Sequence, residues 1–117
     1  MGSALTLAYD RAGSGEPLVL VHPLGADRTA WEPVMQPLAD EHDVLAVDMP
    51  GFGESAELAE RVAATPEAIA GTILATLDSL GLAAAHVAGI SLGGWVALEL
   101  AKTGRALSVT AINPAGF

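Results

Sequence analysis

The chain is 117 residues long and 51% hydrophobic, with 5 Lys and Arg set against 14 Asp and Glu, a formal charge of −9. That length holds one domain at most, burying roughly 65% of its unfolded surface, and a mean hydropathy of +0.45 excludes a disordered chain. The acidic balance argues against nucleic acid as a partner, since five scattered basic residues make no patch for its backbone, and the lack of cysteine removes disulfide frameworks, Cys-based zinc sites and thiol catalysis together.

The first predicted element is a strand over Ala4–Tyr9, followed by a turn at Gly13-Ser14-Gly15. Pro17–Val21 is a continuous apolar run, the pattern of a strand buried on both faces of a parallel sheet. A loop over His22–Asp27 leads to a predicted helix over Thr29–Asp40, whose limits Pro33 and Pro37 blur. Asp43–Asp48 is the next strand, and Pro50-Gly51-Phe52-Gly53 must be a loop. Beyond the polar, irregular stretch Glu54–Ala64, Thr65 is an N-cap, Pro66 the first helical residue and Glu67 a first-turn acid. Ile69, Ile73, Leu77 and Leu80 recur at helical spacing as far as the stop at Gly81. His86–Ile90 reads as a strand, Leu92–Lys102 as a helix ended by Gly104, and Leu107–Ile112 as a last strand.

The span Leu80–Ala101 has only His86, Ser91 and Glu99 as clearly polar side chains, yet it is no membrane span. Gly81, Gly89, Gly93 and Gly94 interrupt it, no basic residue flanks its start, and it parses as strand, turn and helix. No charged start leads into an apolar core either, so no secretory signal is expected and the cytoplasm is the expected location.

Strands alternating with helices imply parallel pairing with right-handed crossovers, hence an α/β three-layer sandwich. Ligands of such sheets bind beyond the carboxyl ends of the strands. There Gly89-Ile90-Ser91-Leu92-Gly93 fits G-x-S-x-G, a pattern expected by chance about 0.07 times in a chain of this content. It follows an apolar strand and opens an apolar helix, the setting of a nucleophile elbow, with Gly89 and Gly93 letting helix and strand pass closely. The Leu92 N–H, at the positive end of that helix, is the first candidate donor to an oxyanion. Pro23 has no N–H, so the second candidate is Leu24, with Gly25 behind it.

His22 is better read as a loop-organising residue than as a general base, and Asp48 as a tie for the loop that follows it. His42, among acidic neighbours, reads as a surface residue, and His86 opens its strand at the far end from Ser91. No histidine is well placed as a base. Metal-ligand spacing, a dinucleotide fingerprint and a P-loop are all missing, so neither metal nor cofactor is expected.

His22-Pro23-Leu24-Gly25, Asp48-Met49-Pro50-Gly51-Phe52-Gly53-Glu54-Ser55, Gly89-Ile90-Ser91-Leu92-Gly93-Gly94 and Asn113-Pro114-Ala115-Gly116-Phe117 resemble, in order, four stretches of the α/β-hydrolase superfamily. They look like its oxyanion loop (usually H-G-x-G, here with Pro23), its D-x-P-G-F-G-x-S loop, its elbow and the end of its strand six. Within that superfamily they resemble the serine esterase and lactonase-like branch. The resemblance implies the partial core of that fold, with strand order 2-4-3-5-6 in the family's numbering. These 117 residues would be one truncated domain without cap or C-terminal strands.

By the same resemblance Ser91 is the nucleophile and Leu24 and Leu92 form the oxyanion hole, while His22, Gly25, Asp48, Gly89 and Gly93 support them. The substrate would be a small acyl compound or ester, and the triad acid and histidine fall outside these residues, so turnover should be weak. The open strand over 107–112 should favour a homodimer or domain swap. A self-associating module without catalysis and an acyl-binding protein without turnover are the alternatives.

Overall fold

The computed structural model describes residues 6–59 and 62–116. Its strands are β1 (Tyr9–Ala12), β2 (Glu16–Val21), β3 (His42–Val47), β4 (Ala85–Ile90) and β5 (Ala106–Ile112), and its helices α1 (Glu32–Ala39), α2 (Pro66–Ser79) and α3 (Leu92–Ala101). The strands form one sheet in the order β1-β3-β2-β4-β5. β1 runs antiparallel to β3 and every other pair is parallel. With β1 counted as strand two, this is the expected 2-4-3-5-6.

The central strands bury both faces, which explains their unbroken apolar sequences. Val19 and Val21 of β2 and Val44 and Leu45 of β3 are all 0% exposed. On one side of the sheet α2 and α3 cover Val19, Val21, Val47 and Val87, packing Ile69, Ile73, Leu77, Val96 and Leu100 against them. On the other side α1 and the 3-10 turn before it (Arg28–Trp31) lay Trp31, Met35 and Leu38 over Leu18, Leu20, Val44 and Ala46. The result is helix, sheet, helix.

α2 starts as its sequence requires: Thr65 Oγ1 accepts the Ala68 N–H at 3.1 Å, and Pro66 occupies a first-turn position where no N–H is needed. The apolar span over 80–101 divides at Ser91 into β4 and α3. Among the described residues no helix is long and apolar enough to cross a membrane.

Two expectations are corrected. The first strand is Tyr9–Ala12, not Ala4–Tyr9, of which Ala4 and Leu5 lie outside the described residues. Leu7 is apolar because it enters the core, its N–H donating to Thr76 Oγ1 at 2.9 Å, and not because it joins the ladder. The strand itself is polar because it lies at the sheet edge, where Arg11 reaches Asp43 with paired hydrogen bonds of 2.9 and 2.8 Å. The predicted helix over Thr29–Asp40 is also two pieces, since the helical bonding changes from 3-10 to α at Glu32, just before Pro33.

Candidate active site

Parallel pairing of β2, β3 and β4 brings their carboxyl ends to one rim, where Val21 lies opposite both Val47 and Gly89. The residues that follow each strand therefore meet there: His22–Gly25 after β2, Asp48–Gly53 after β3, and Ser91–Gly93 after β4.

Ser91 joins β4 to α3 with φ 56 and ψ −115, a conformation that costs a side-chain-bearing residue about 1–3 kcal/mol. Its hydroxyl makes no capping bond to the helix it precedes. The glycines around it are required by close approach. A Cβ on Gly89 would overlap the Gly93 carbonyl, and one on Gly93 would overlap the Val21 carbonyl oxygen. The first turn of α3 thus lies directly against the ends of β4 and β2, with its N–H groups at the rim. Among the described residues the Leu92 N–H donates to no protein acceptor. That leaves an unpaired donor at the positive end of the helix.

The loop after β2 turns at Pro23–Ala26, closed by an Ala26 N–H bond to the Pro23 carbonyl at 3.2 Å. Gly25 occupies the third position of that turn at φ +83, where glycine is the favoured residue. Leu24 is 68% exposed, and among the described residues neither its N–H nor that of Gly25 has a protein acceptor.

Both ends of this loop are fixed by the residues after β3. His22 is fully buried, and its Nε2 accepts the Met49 N–H at 2.9 Å, so the ring proton sits on Nδ1 and is donated to the Pro23 carbonyl at 2.8 Å. Phe52 stands edge-on to the ring, 5.6 Å between centroids. With both nitrogens engaged, His22 has no free lone pair to take a proton from Ser91. At the other end Asp48, 0% exposed, accepts the Arg28 N–H at 2.7 Å and the Glu54 N–H at 2.9 Å, and also holds the Arg28 guanidinium. Gly53 has no side chain because a Cβ there would overlap the Asp48 carboxylate.

Arg28 is the residue that sequence reasoning missed. Its guanidinium hydrogen-bonds Glu54 and Asp48, and its Nε lies 3.1 Å from Asp10 Oδ1, near enough to attract but not aligned to hydrogen-bond. The Glu54 bond, then the Asp10 and Asp48 carboxylates, raise its pKa above the ordinary arginine value against the opposing effect of burial. A buried Asp48 in a chain with so few cations was the available signal, since such a carboxylate needs one of them.

The remaining histidines lie at the opposite rim. His42 and His86 stack edge to face at 5.8 Å, and His86 contacts Glu16 at 3.0 Å and Ser108 at 2.7 Å. Among the described residues no cluster of His, Cys, Asp or Glu is arranged to hold a metal ion.

The chain is 40% identical to the dihydrolipoyllysine-residue acetyltransferase component of the acetoin cleaving system of Cupriavidus necator, over 97% of its own length and 30% of that protein. Among solved structures it is similar to a thermophilic esterase from Thermogutta terrifontis, with 36% identity, a TM-score of 0.78, and 87% of this chain and 37% of that one covered. It is also similar to the enol-lactonase from Burkholderia xenovorans, with 30% identity, a TM-score of 0.84, and 92% of this chain and 43% of that one covered. The chain thus spans less than half the length of each. The alpha/beta hydrolase family model matches residues 18–117, from within β2 through β5 and including all of the rim they share, and the chain belongs to that family.

Proposed function

We propose that this chain carries the nucleophile and oxyanion hole of a serine hydrolase acting on esters or related acyl compounds. The observation that carries the reading is Ser91 itself, held at φ 56 at the junction of a buried strand and a buried helix, beside an unpaired helix-terminal N–H. Strain at a non-glycine residue survives where the surroundings over-determine it, and such residues concentrate at active sites.

In the proposed step Ser91 Oγ bonds to the acyl carbon while the carbonyl oxygen, now negative, moves toward the N–H groups of Leu92 and Leu24. The hydroxyl proton leaves to water or to a base beyond the described residues, since His22 is engaged on both nitrogens and His42 and His86 stand at the opposite rim. The hole together with substrate binding sustains slow chemistry, roughly 10³-fold over water in triad-less hydrolases. His22, Asp48 and Gly25 shape the loop bearing Leu24, while Gly89 and Gly93 seat the helix bearing Leu92. Relatives described as an esterase and an enol-lactonase support acyl chemistry.

The test is incubation with a fluorophosphonate followed by intact-mass analysis, with Ser91→Ala in parallel. A single adduct that disappears in Ser91→Ala supports the reading. A folded chain that takes no label defeats it.

A second reading, self-association without catalysis, rests on β5. Among the described residues this strand pairs only with β4, and Leu107 and Ile112 are 49% and 41% exposed. A second copy adding its own β5 would satisfy that edge. Sedimentation at two concentrations tests it: a dimer is expected, and a monomer throughout removes this reading.

A further inference from the structure

Ser91 is not held by its own strand and helix alone. Its N–H donates to the carbonyl of Ile112 at the end of β5, 3.0 Å away. Its carbonyl accepts the Ala115 N–H at 2.9 Å in addition to the helical bond from Trp95 N–H at 3.1 Å. Between these bonds the chain reverses at Asn113, which adopts φ 43, a left-handed conformation that asparagine tolerates better than most residues. Pro114 then packs on the first turn of α3, 3.1 Å from the point where a Cβ on Gly94 would stand. Gly116 lies so close to Trp95 that a Cβ would come within 2.8 Å of its ring. The segment after β5 therefore grips residue 91 by both its N–H and its carbonyl, and presses on the helix turn immediately beyond it. Neither grip comes from the loops after β2 or β3.

We infer that the turn Asn113–Gly116 is a positioning element for Ser91, acting through the Ala115 N–H and the seating of Gly116 on Trp95. The inference rests on the reading of Ser91 as nucleophile and says what aims it. The hydroxyl of Ser91 takes its direction from the backbone that carries it, so the bonds that fix its two peptide groups set where Oγ stands relative to the Leu92 N–H. Ala115 and Gly116 touch no substrate; they act through the backbone of residue 91.

The experiment is the rate of fluorophosphonate labelling in Ala115→Pro, which deletes the N–H that holds the Ser91 carbonyl, and in Gly116→Ala, which forces a Cβ toward the Trp95 ring. Ala115→Gly keeps the N–H and serves as the matched control. Misaiming of about 1 Å is expected to slow labelling of the folded protein by roughly 10²-fold in Ala115→Pro, while Ala115→Gly stays within about twofold of the parent. A merely structural turn would lower the melting temperature and leave the labelling rate of folded protein unchanged, and that result overturns the inference. If Ala115→Pro does not fold, amide exchange in the unaltered chain decides: the Ala115 N–H should exchange roughly 10²-fold more slowly than an exposed amide, and unprotected exchange overturns the inference as well. A parent chain that never labels while the Ala115 amide is protected brings down the nucleophile reading and the positioning role with it, leaving a clamp without chemistry.

Discussion

Replacing Asp48 with alanine removes a carboxylate that is 0% exposed and serves as the shared acceptor for two loops. Its oxygens take the N–H of Arg28 at 2.7 Å and of Glu54 at 2.9 Å, and because both amides are only partly buried, leaving each unpaired costs about 1 kcal/mol, the low end of the range for a lost hydrogen bond. The Arg28 guanidinium, 17% exposed, also loses its one buried partner, and breaking a buried pair costs about 3–5 kcal/mol when no other charge compensates. Because Arg28 keeps Asp10 and Glu54, these costs overlap, and the expected loss is about 4 kcal/mol, a large share of a typical 5–15 kcal/mol stability. Urea unfolding followed by circular dichroism measures it, with a fall in melting temperature of about 15 °C as the thermal counterpart. Glu54→Ala is the internal control: its side chain is 74% exposed, and its pairing with Arg28 is worth less than about 1 kcal/mol. A native-like Asp48→Ala chain losing under about 1 kcal/mol would refute the claim that this carboxylate holds the rim together.

Ser91→Gly should be more stable than Ser91→Ala by about 1–2 kcal/mol in the same urea assay, reversing the usual order, because alanine keeps the strain of φ 56 and glycine does not. Gly71 sits inside α2 with open space where a Cβ would project, so Gly71→Ala should raise stability by about 0.5–1 kcal/mol, read as an upward shift in melting temperature. The Asp27 carboxylate accepts from the Thr29 hydroxyl and from the Thr29 N–H at 2.9 Å, which holds its pKa below the ordinary 3.8. Its contribution is therefore complete above that unfolded value and is lost as pH falls through the lower folded one. The melting-temperature gap between the parent and Asp27→Ala should accordingly be constant near neutrality and close in strong acid.

The parts of the fold legible in sequence are those where local signals agree with burial. Thr65, Pro66 and the spacing of Ile69, Ile73 and Leu77 mark α2 because cap, first-turn proline and apolar face all belong to one segment. β2 and β3 are legible because their apolar runs are too short for a helix and are bounded by loop residues, which leaves a strand buried on both faces. β1 was misplaced because hydrophobicity reports burial, and Leu7 reaches the core without joining the ladder while the true edge strand carries Asp10 and Arg11. At the rim, G-x-S-x-G could be found since its residues are contiguous. The hub at Arg28 is harder to name, because Asp10 and the loop holding Asp48 and Glu54 come from separate segments, and the need of Asp48 for a cation does not say which cation serves it.

The overlap that a Cβ on Gly89 or Gly93 would create has a bearing on inheritance. Both positions are constrained by how near one backbone lies to another, whether or not Ser91 reacts with anything. A descendant that exchanged its serine for another residue and abandoned catalysis would still be held to both glycines, under penalty of separating helix from sheet. In such lineages the glycine spacing would persist as a relic of architecture, and only the residue between would record whether the chemistry had been kept.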